Sequence, residues 1–396
     1  MVASCIFALS LINLNPQIQE MVNCTSPDSI ISSVQRLQDF ITRCPVHDSC
    51  FAAADWIQSK FLDIGLDSVY RDSFTWTYVV PPNIVGVKRG VLFPESCYSI
   101  ICAHYDAYAP IAHPDTARGA DDNGSGVAAV IETARVLSSY QFDYGIRFIA
   151  FSNEEFGSIG AEHYASNALL AGDDIMGVFN FDMIGYSDAL PESVEVEADP
   201  FCEPLVDLYI ACADTYTTLL TTKRIFMASG DAFPFSERGY QAITMVEDWP
   251  LTNPYFHWLA ADTIGSGFND LSFCTEVIRA GIASLATLAH PVGIVEKQDS
   301  EVVPWCVMRI APNPFTTETD IRYQITDVGE YAHLEIFDAS GRLVRSFSLL
   351  PSAVGHQSSV RWDGTDGVGR QLGNGVYFLK LRSENCSAAE KLLLIR

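Results

Sequence analysis

Basic side chains are scarce in this chain, with 24 Lys and Arg against 49 Asp and Glu in 396 residues and a formal charge of −25. Such a surface repels phosphate backbones, and no local cluster of Lys or Arg offsets it, so nucleic acid is excluded as a partner. Long apolar runs are missing too: nothing approaches the ~18 uncharged apolar residues that a membrane-spanning helix needs, and no integral membrane segment is expected. Eleven cysteines are present, yet no CxxC pair occurs, which removes cysteine-based zinc knuckles and thioredoxin chemistry. The odd count leaves at least one thiol unpaired. Cys44 and Cys50 stand near enough in sequence to close a small loop in an oxidising compartment, and scattered buried thiols are the equal alternative.

What is present is a globular composition, 48% apolar and 11% aromatic, too rich in Phe, Tyr and Ile for a disordered chain. The length suits one large domain plus a smaller module. Charge divides the chain in the same way. From Cys306 onward there are ten basic and ten acidic residues, so the whole −25 lies ahead of that point.

Residues 1–27 begin with an apolar run of signal-peptide length that lacks a basic start and a small-x-small cleavage site, and are expected to be a leader or propeptide-like segment. Residues 28–65 carry apolar side chains at three- and four-residue spacing, which predicts two amphipathic helices. Short apolar runs follow at Tyr98–Ala103, Ile146–Phe151, Met176–Phe181 and Ala242–Val246, with helical patterns between and after them. This predicts an α/β domain over 28–291, an open and mostly parallel sheet flanked by helices. Residues 292–305 read as a linker. From 306 to 396 short alternating strands between Gly, Asp, Asn and Ser turns predict a small all-β sandwich.

Ligands of an open α/β sheet bind at the carboxyl ends of its strands. There the sequence places His104-Tyr105-Asp106, Glu154-Glu155 and Asp182; Asp121-Asp122-Asn123 precede a helix, and His257 lies in a loop after the last strand. A single acid at such a position commonly caps a helix. Several acids and two imidazoles converging on one rim are costly unless cations neutralise them. Two divalent ions balanced by three carboxylates and a hydroxide fit this set, zinc best, with cobalt or manganese as substitutes. His104 and Asp106, two apart on an extended segment, face the same way, so Asp106 is expected to accept the second imidazole N–H and fix the tautomer. Adjacent Glu154 and Glu155 point apart, so one can bind metal while the other shuttles a proton.

Taken together, HYDAY, GADDNGSG, the Glu-Glu of SNEEFGSIGAEHY, NFDMIGY and NPYFHWLAADT, in this order over residues 28–295, resemble the co-catalytic zinc peptidases. That family includes bacterial secreted aminopeptidases, glutamate carboxypeptidase and glutaminyl cyclase. The resemblance implies that His104 and Asp182 bind one zinc, that Glu155 and His257 bind the other, and that Asp121 bridges them across a cis Asp121–Asp122 peptide. Glu154 would be the general base and acid, with Asp106 behind the metal. Asp122, Asp231, Tyr255 and Asp262 would support the ligands or meet the substrate. Two positions depart from the family pattern: Gly230-Asp231-Ala232 stands where Ser-Asp-His is common, and Phe256 stands where Tyr usually precedes the last histidine. His47, His113, His163, His290, His333 and His356 are expected to be structural.

The tail, with PNPF, IFDASGRLVRS, RWDGTDGVGRQLGNGVYFLKL and KLLLIR, resembles the sandwich modules of bacterial secreted enzymes, either sorting domains or the flagellar-hook-cap immunoglobulin-like fold. The expected function is that of a secreted or cell-surface bacterial aminopeptidase acting on peptides, its tail engaging a secretion machine or the cell surface. Carboxypeptidase and glutaminyl cyclase are the alternatives within enzymes. A binding ectodomain that has lost its metals is the alternative outside them.

Overall fold

The computed structural model describes residues 13–76, 80–108, 114–247, 252–257, 261–292, 306–325, 332–339, 341–349, 358–383 and 387–395. The chain divides after Gly293 into two units.

The first unit opens with three helices, α1 (Pro16–Asn23), α2 (Pro27–Gln38) and α3 (Asp48–Ile64). The side chains of Asn15 and Ser26 accept backbone N–H groups at the starts of α1 and α2, and each helix begins with Pro, which needs no N–H partner there. Gly65 ends α3 in the left-handed conformation at φ 78°.

An eight-stranded sheet follows: β1 (Ser68–Asp72), β2 (Asn83–Lys88), β3 (Phe93–His104), β4 (Tyr144–Phe151), β5 (Asp174–Phe181), β6 (Ser193–Ala198), β7 (Leu220–Arg224) and β8 (Ala242–Val246), in the order β1-β2-β4-β3-β5-β8-β6-β7. The central strands β4, β3, β5 and β8 run parallel and coincide with the four apolar runs of the sequence. The other four strands were not expected. β1, β6 and β7 alternate or are largely exposed, as in SVEVEA of β6 and LTTKR of β7, whereas β2 is almost wholly buried but short, its apolar residues interrupted by Gly86 and flanked by Asn83 and Lys88.

Side chains of β3 alternate between two cores, as a two-residue period requires. Ile101 and Ala103 face the layer of α1, α2, α3, α4 (Gly124–Leu137), α6 (Glu203–Tyr216) and α8 (Leu271–Ala289). Ile100 and Cys102 face α5 (Ile159–Ala171) and the short α7 (Phe233–Glu237). Helix α8 is long and apolar enough to cross a membrane, but most of it is buried inside the unit.

The expectation for residues 1–27 needs correction in its second half. Ile18, Met21 and Val22, spaced three and four apart, put one apolar face of α1 into the core, and the Asn15 amide donates to the Tyr216 hydroxyl at 2.9 Å. Residues 13–27 are therefore part of the folded unit. The apolar run of residues 1–12 lies outside the described residues, as do His113, His356 and most of the expected linker. Cys44 and Cys50 are both buried free thiols, so the loop-closing disulfide is not formed.

The second unit contains a three-stranded sheet, in the order β13 (Ser358–Trp362), β10 (Thr319–Ile325), β9 (Cys306–Ala311). A four-stranded sheet joins β12 (Leu343–Leu349), β11 (Ala332–Asp338), β14 (Gly375–Ser383) and β15 (Ser387–Leu394), and all the strand pairs are antiparallel. Trp362, Ile321, Leu334, Leu379 and Leu392 form its core.

Candidate metal centre

The parallel strands β4, β3, β5 and β8 end side by side, and each end is followed by acids or an imidazole. β3 ends at His104 itself. After β4, Asn153 turns the chain at φ 61°, a conformation Asn tolerates better than most residues, and presents Glu154 and Glu155. Asp182 follows β5, and Glu247 follows β8. The loop before α4 completes the rim. Its close approach to β5 needs Gly126, where a Cβ would lie 2.2 Å from the Phe181 carbonyl oxygen.

His104 Nε2 lies 3.4 Å from Asp122 Oδ1, 3.4 Å from Asp182 Oδ1 and 4.0 Å from Glu154 Oε2. His257 Nε2 lies 3.0 Å from Asp122 Oδ2 and 3.0 Å from Glu155 Oε2. Donor atoms of His104, Asp122 and Glu155 all fall within 4.8 Å of one another. The structure thus gathers His104, Glu154, Glu155, Asp182 and His257 at one place.

The fourth acid of this cluster is Asp122, and the expectation of Asp121 as the bridge is corrected. Asp121 Oδ1 accepts the Gly185 amide at 2.8 Å and Oδ2 accepts Asn253 Nδ2 at 3.0 Å, so its carboxylate is engaged away from the imidazoles. Adjacent side chains in this turn point apart, which hands the rim position to Asp122. The cis peptide is likewise one residue later than expected, between Asp122 and Asn123.

Asp262 holds this turn from behind: its Oδ1 accepts the Asp121 amide at 2.9 Å and its Oδ2 the Asp122 amide at 2.9 Å. Asp106 meets the imidazole as expected, though as an ion pair and not through a close carboxylate hydrogen bond. Its backbone carbonyl, 3.2 Å away, is nearer His104 Nδ1 than its carboxylate at 3.6 Å. The carboxylate also accepts the amides of Glu154 at 3.1 Å and Glu155 at 3.3 Å, because both N–H groups of that turn point at it. Asp231 is fully buried with neither oxygen hydrogen-bonded. Phe256 stacks on His257 at 3.8 Å between ring centroids, and Tyr255 packs edge-on against Tyr186.

Several contributors were missed in the sequence. Tyr108 donates its amide to Glu155 Oε1 at 2.9 Å and lays its ring 4.7 Å from that of His257. Buried Glu247 accepts the Tyr186 amide at 3.0 Å. The strand-end rule that found Asp182 applies equally to Glu247, which follows AITMV directly. Of the histidines expected to be structural, His163 meets Asp72 at 3.2 Å and His47 meets Asp115 at 3.4 Å, neither of them on the rim.

So many buried acids disturb one another. Burial, and then the charges of Asp182, Asp106 and Asp122, raise Glu154 to about 7 against the pull of His104. Burial and Asp122 raise Glu155 to about 8. Burial works to lower both imidazoles, but hydrogen bonds to Asp122 and Glu155 lift His257 to about 10, and Asp182, Asp106 and Asp122 lift His104 well above its ordinary value. In the protein alone, therefore, imidazolium protons offset the acids. Divalent cations would replace those protons, and the mixture of imidazole nitrogen and carboxylate oxygen suits zinc. The donor set fits such ions.

Residues 84–266 match the family described as peptidase family M28. Over these residues the first unit is similar to peptidase family M28. Residues 314–387, in the second unit, match the FlgD Ig-like domain. The chain is 40% identical over 112 residues to "Aminopeptidase YwaD" of Bacillus subtilis, covering 26% of this chain and 22% of that protein. A "Probable zinc metalloprotease" of Pyrenophora teres f. teres is 30% identical over 194 residues, covering 43% of this chain and 42% of that one. The chain thus spans less than half the length of these two curated relatives. Its fold is similar to that of the Legionella pneumophila LapA aminopeptidase, with a TM-score of 0.63 and 22% identity over 71% of this chain and 77% of the other.

Proposed function

We propose that the first unit is an aminopeptidase that holds two zinc ions and hydrolyses the first peptide bond of its substrates. The observation that carries this reading is the placement of Asp122, whose two oxygens face two different imidazoles at 3.4 and 3.0 Å. His104 and Asp182 would hold one ion, Glu155 and His257 the other, and Asp122 both. Such a pair of ions, when bound, acidifies a water and polarises a carbonyl oxygen.

The proton work falls to Glu154. Ser158 Oγ donates to its Oε1 at 3.3 Å, while Oε2 faces His104 and the rim. Asp106 anchors the Glu154 amide, which fixes where the carboxylate can reach. In this position Glu154 takes a proton from the attacking water and returns it to the leaving amine.

Recognition of a free amino terminus is supported by the scarcity of cations: residues 100–260 carry only six Lys and Arg, so little there offers a partner to the terminal carboxylate that a carboxypeptidase must hold. Glutaminyl cyclase, which uses one zinc, has no need of the complete second set that His104 and Asp182 provide here. The second unit is proposed to be an accessory module without chemistry of its own, serving export or surface attachment.

The test is zinc content of the purified protein together with hydrolysis of Leu-, Met- and Phe-type amides with free or acetylated amino groups. Two zinc ions per chain and cleavage of only the free-amine substrates are expected. Equal cleavage of the acetylated series would refute amine recognition, and absence of both zinc and turnover would leave the binding ectodomain as the correct reading.

A further inference from the structure

Arg43 is completely buried, between α2 and α3. Its guanidinium spends its donors on backbone carbonyls. Nε donates to Tyr105 O at 2.7 Å, Nη1 to Leu37 O at 3.1 Å and Arg118 O at 2.5 Å, and Nη2 to Gly119 O at 2.8 Å. The backbone of the same residue adds two more ties, Arg43 N–H to Ala117 O and Ala107 N–H to Arg43 O, both 3.3 Å.

Apart from Leu37, in α2, these partners belong to two separate loops. Tyr105 sits between His104 and Asp106 at the end of β3, whereas Arg118 and Gly119 lead into the turn that carries Asp122. One planar fork therefore closes the loop of the first imidazole onto the loop of the shared carboxylate, whose side chains stand 3.4 Å apart. Removing a full positive charge from water is costly, and an apolar side chain would fill the same core without that cost. What the guanidinium supplies in return is geometry, because its donors diverge in a fixed plane. A lysine ammonium places all its donors on one atom and cannot span both loops.

We propose that Arg43 is a positioning residue for the metal centre, setting the separation between His104 and Asp122. This rests on the dinuclear reading above. Groups that orient metal ligands typically cost roughly 10–100-fold in metal affinity or activity when removed.

The test is Arg43→Lys in the full chain, with zinc affinity measured by chelator competition and kcat and KM measured on a small aminoacyl amide. Zinc affinity is expected to weaken roughly 10–100-fold and kcat to fall with it, while KM changes little, because Arg43 is not placed against substrate. A folded Arg43→Lys protein with zinc affinity and kcat within about twofold of the parent overturns the proposal.

If Arg43→Lys does not fold, Arg43→Gln decides the matter, because its planar amide can still donate to one loop but cannot span both. Weakened zinc binding in that folded variant supports the proposal, and unchanged binding defeats it. The parent protein is measured in parallel. If it binds no zinc, the dinuclear reading itself fails, whereas normal parent binding with unaffected variants rejects only the role of Arg43.

Discussion

Asp122 Oδ1 lies 3.4 Å from His104 Nε2, while Oδ2 of the same carboxylate lies 3.0 Å from His257 Nε2. Asp121, its neighbour in the chain, reaches neither imidazole and instead accepts Gly185 N–H and Asn253 Nδ2. On the proposed dinuclear reading, Asp122→Ala is expected to weaken zinc binding by more than ~100-fold, whereas Asp121→Asn, acting through the turn, costs about 10-fold. Zinc titrations of the two variants check this, and the reverse ranking would return the bridge to Asp121.

Glu154→Gln keeps the size of the side chain and removes its basicity. Turnover should fall by ~10²–10⁴-fold, the usual contribution of a general base, with metal stoichiometry unchanged. Elemental analysis beside steady-state kinetics reads both quantities. Loss of metal in this variant would show Glu154 to be a ligand instead.

Asp262 accepts the amides of both Asp121 and Asp122. Asp262→Asn retains one accepting oxygen and replaces the other with an NH₂ that faces an N–H donor. Zinc affinity is expected to drop by roughly 10–100-fold. Binding unchanged within experimental error would make this contact incidental.

Helix α1 buries Ile18, Met21 and Val22 in the core of the first unit. Burial of such side chains contributes about 1.5–3 kcal/mol each, less the entropy of ordering the segment, so a chain beginning at Pro27 should lose roughly 2–4 kcal/mol. Urea unfolding measures the difference. A midpoint equal to that of the longer chain would restore the leader-like reading of this helix.

Cys24 is exposed, whereas Cys44, Cys50, Cys102, Cys202, Cys212 and Cys274 are buried free thiols and Cys97 is buried as well. Burial raises the thiol pKa of Cys202 and Cys212 to about 11 and of Cys50, Cys102 and Cys274 well above the ordinary value. Brief alkylation of the native protein followed by peptide mass mapping should modify Cys24 and spare those seven until the protein is unfolded. Early modification of Cys44 and Cys50 would contradict their burial.

The central strands were legible because each is buried on both faces and so reads as a continuous apolar run, as in YSIICA and AITMV. β6 and β7 were not, since their residues alternate with exposed ones and leave no such run. Most of the rim residues followed from a single rule, that polar groups at the carboxyl ends of parallel strands converge. Glu247 obeys the same rule and was overlooked, while Tyr108 and Asn253 act from loops through backbone or amide contacts for which sequence carries no periodic signal.

By itself the amino-acid order determined the α/β layering, the division from the all-β tail and the presence of acids and imidazoles on one rim, because strand and helix periodicities are local properties. Tertiary structure decided which of two adjacent aspartates faces the imidazoles, and that Asp106 anchors the Glu154–Glu155 turn. It also bound the two ligand-bearing loops through Arg43. Those choices depend on backbone groups from distant segments, Gly185, Glu154, Tyr105 and Gly119 among them, whose N–H and C=O directions are set only when the chain has folded.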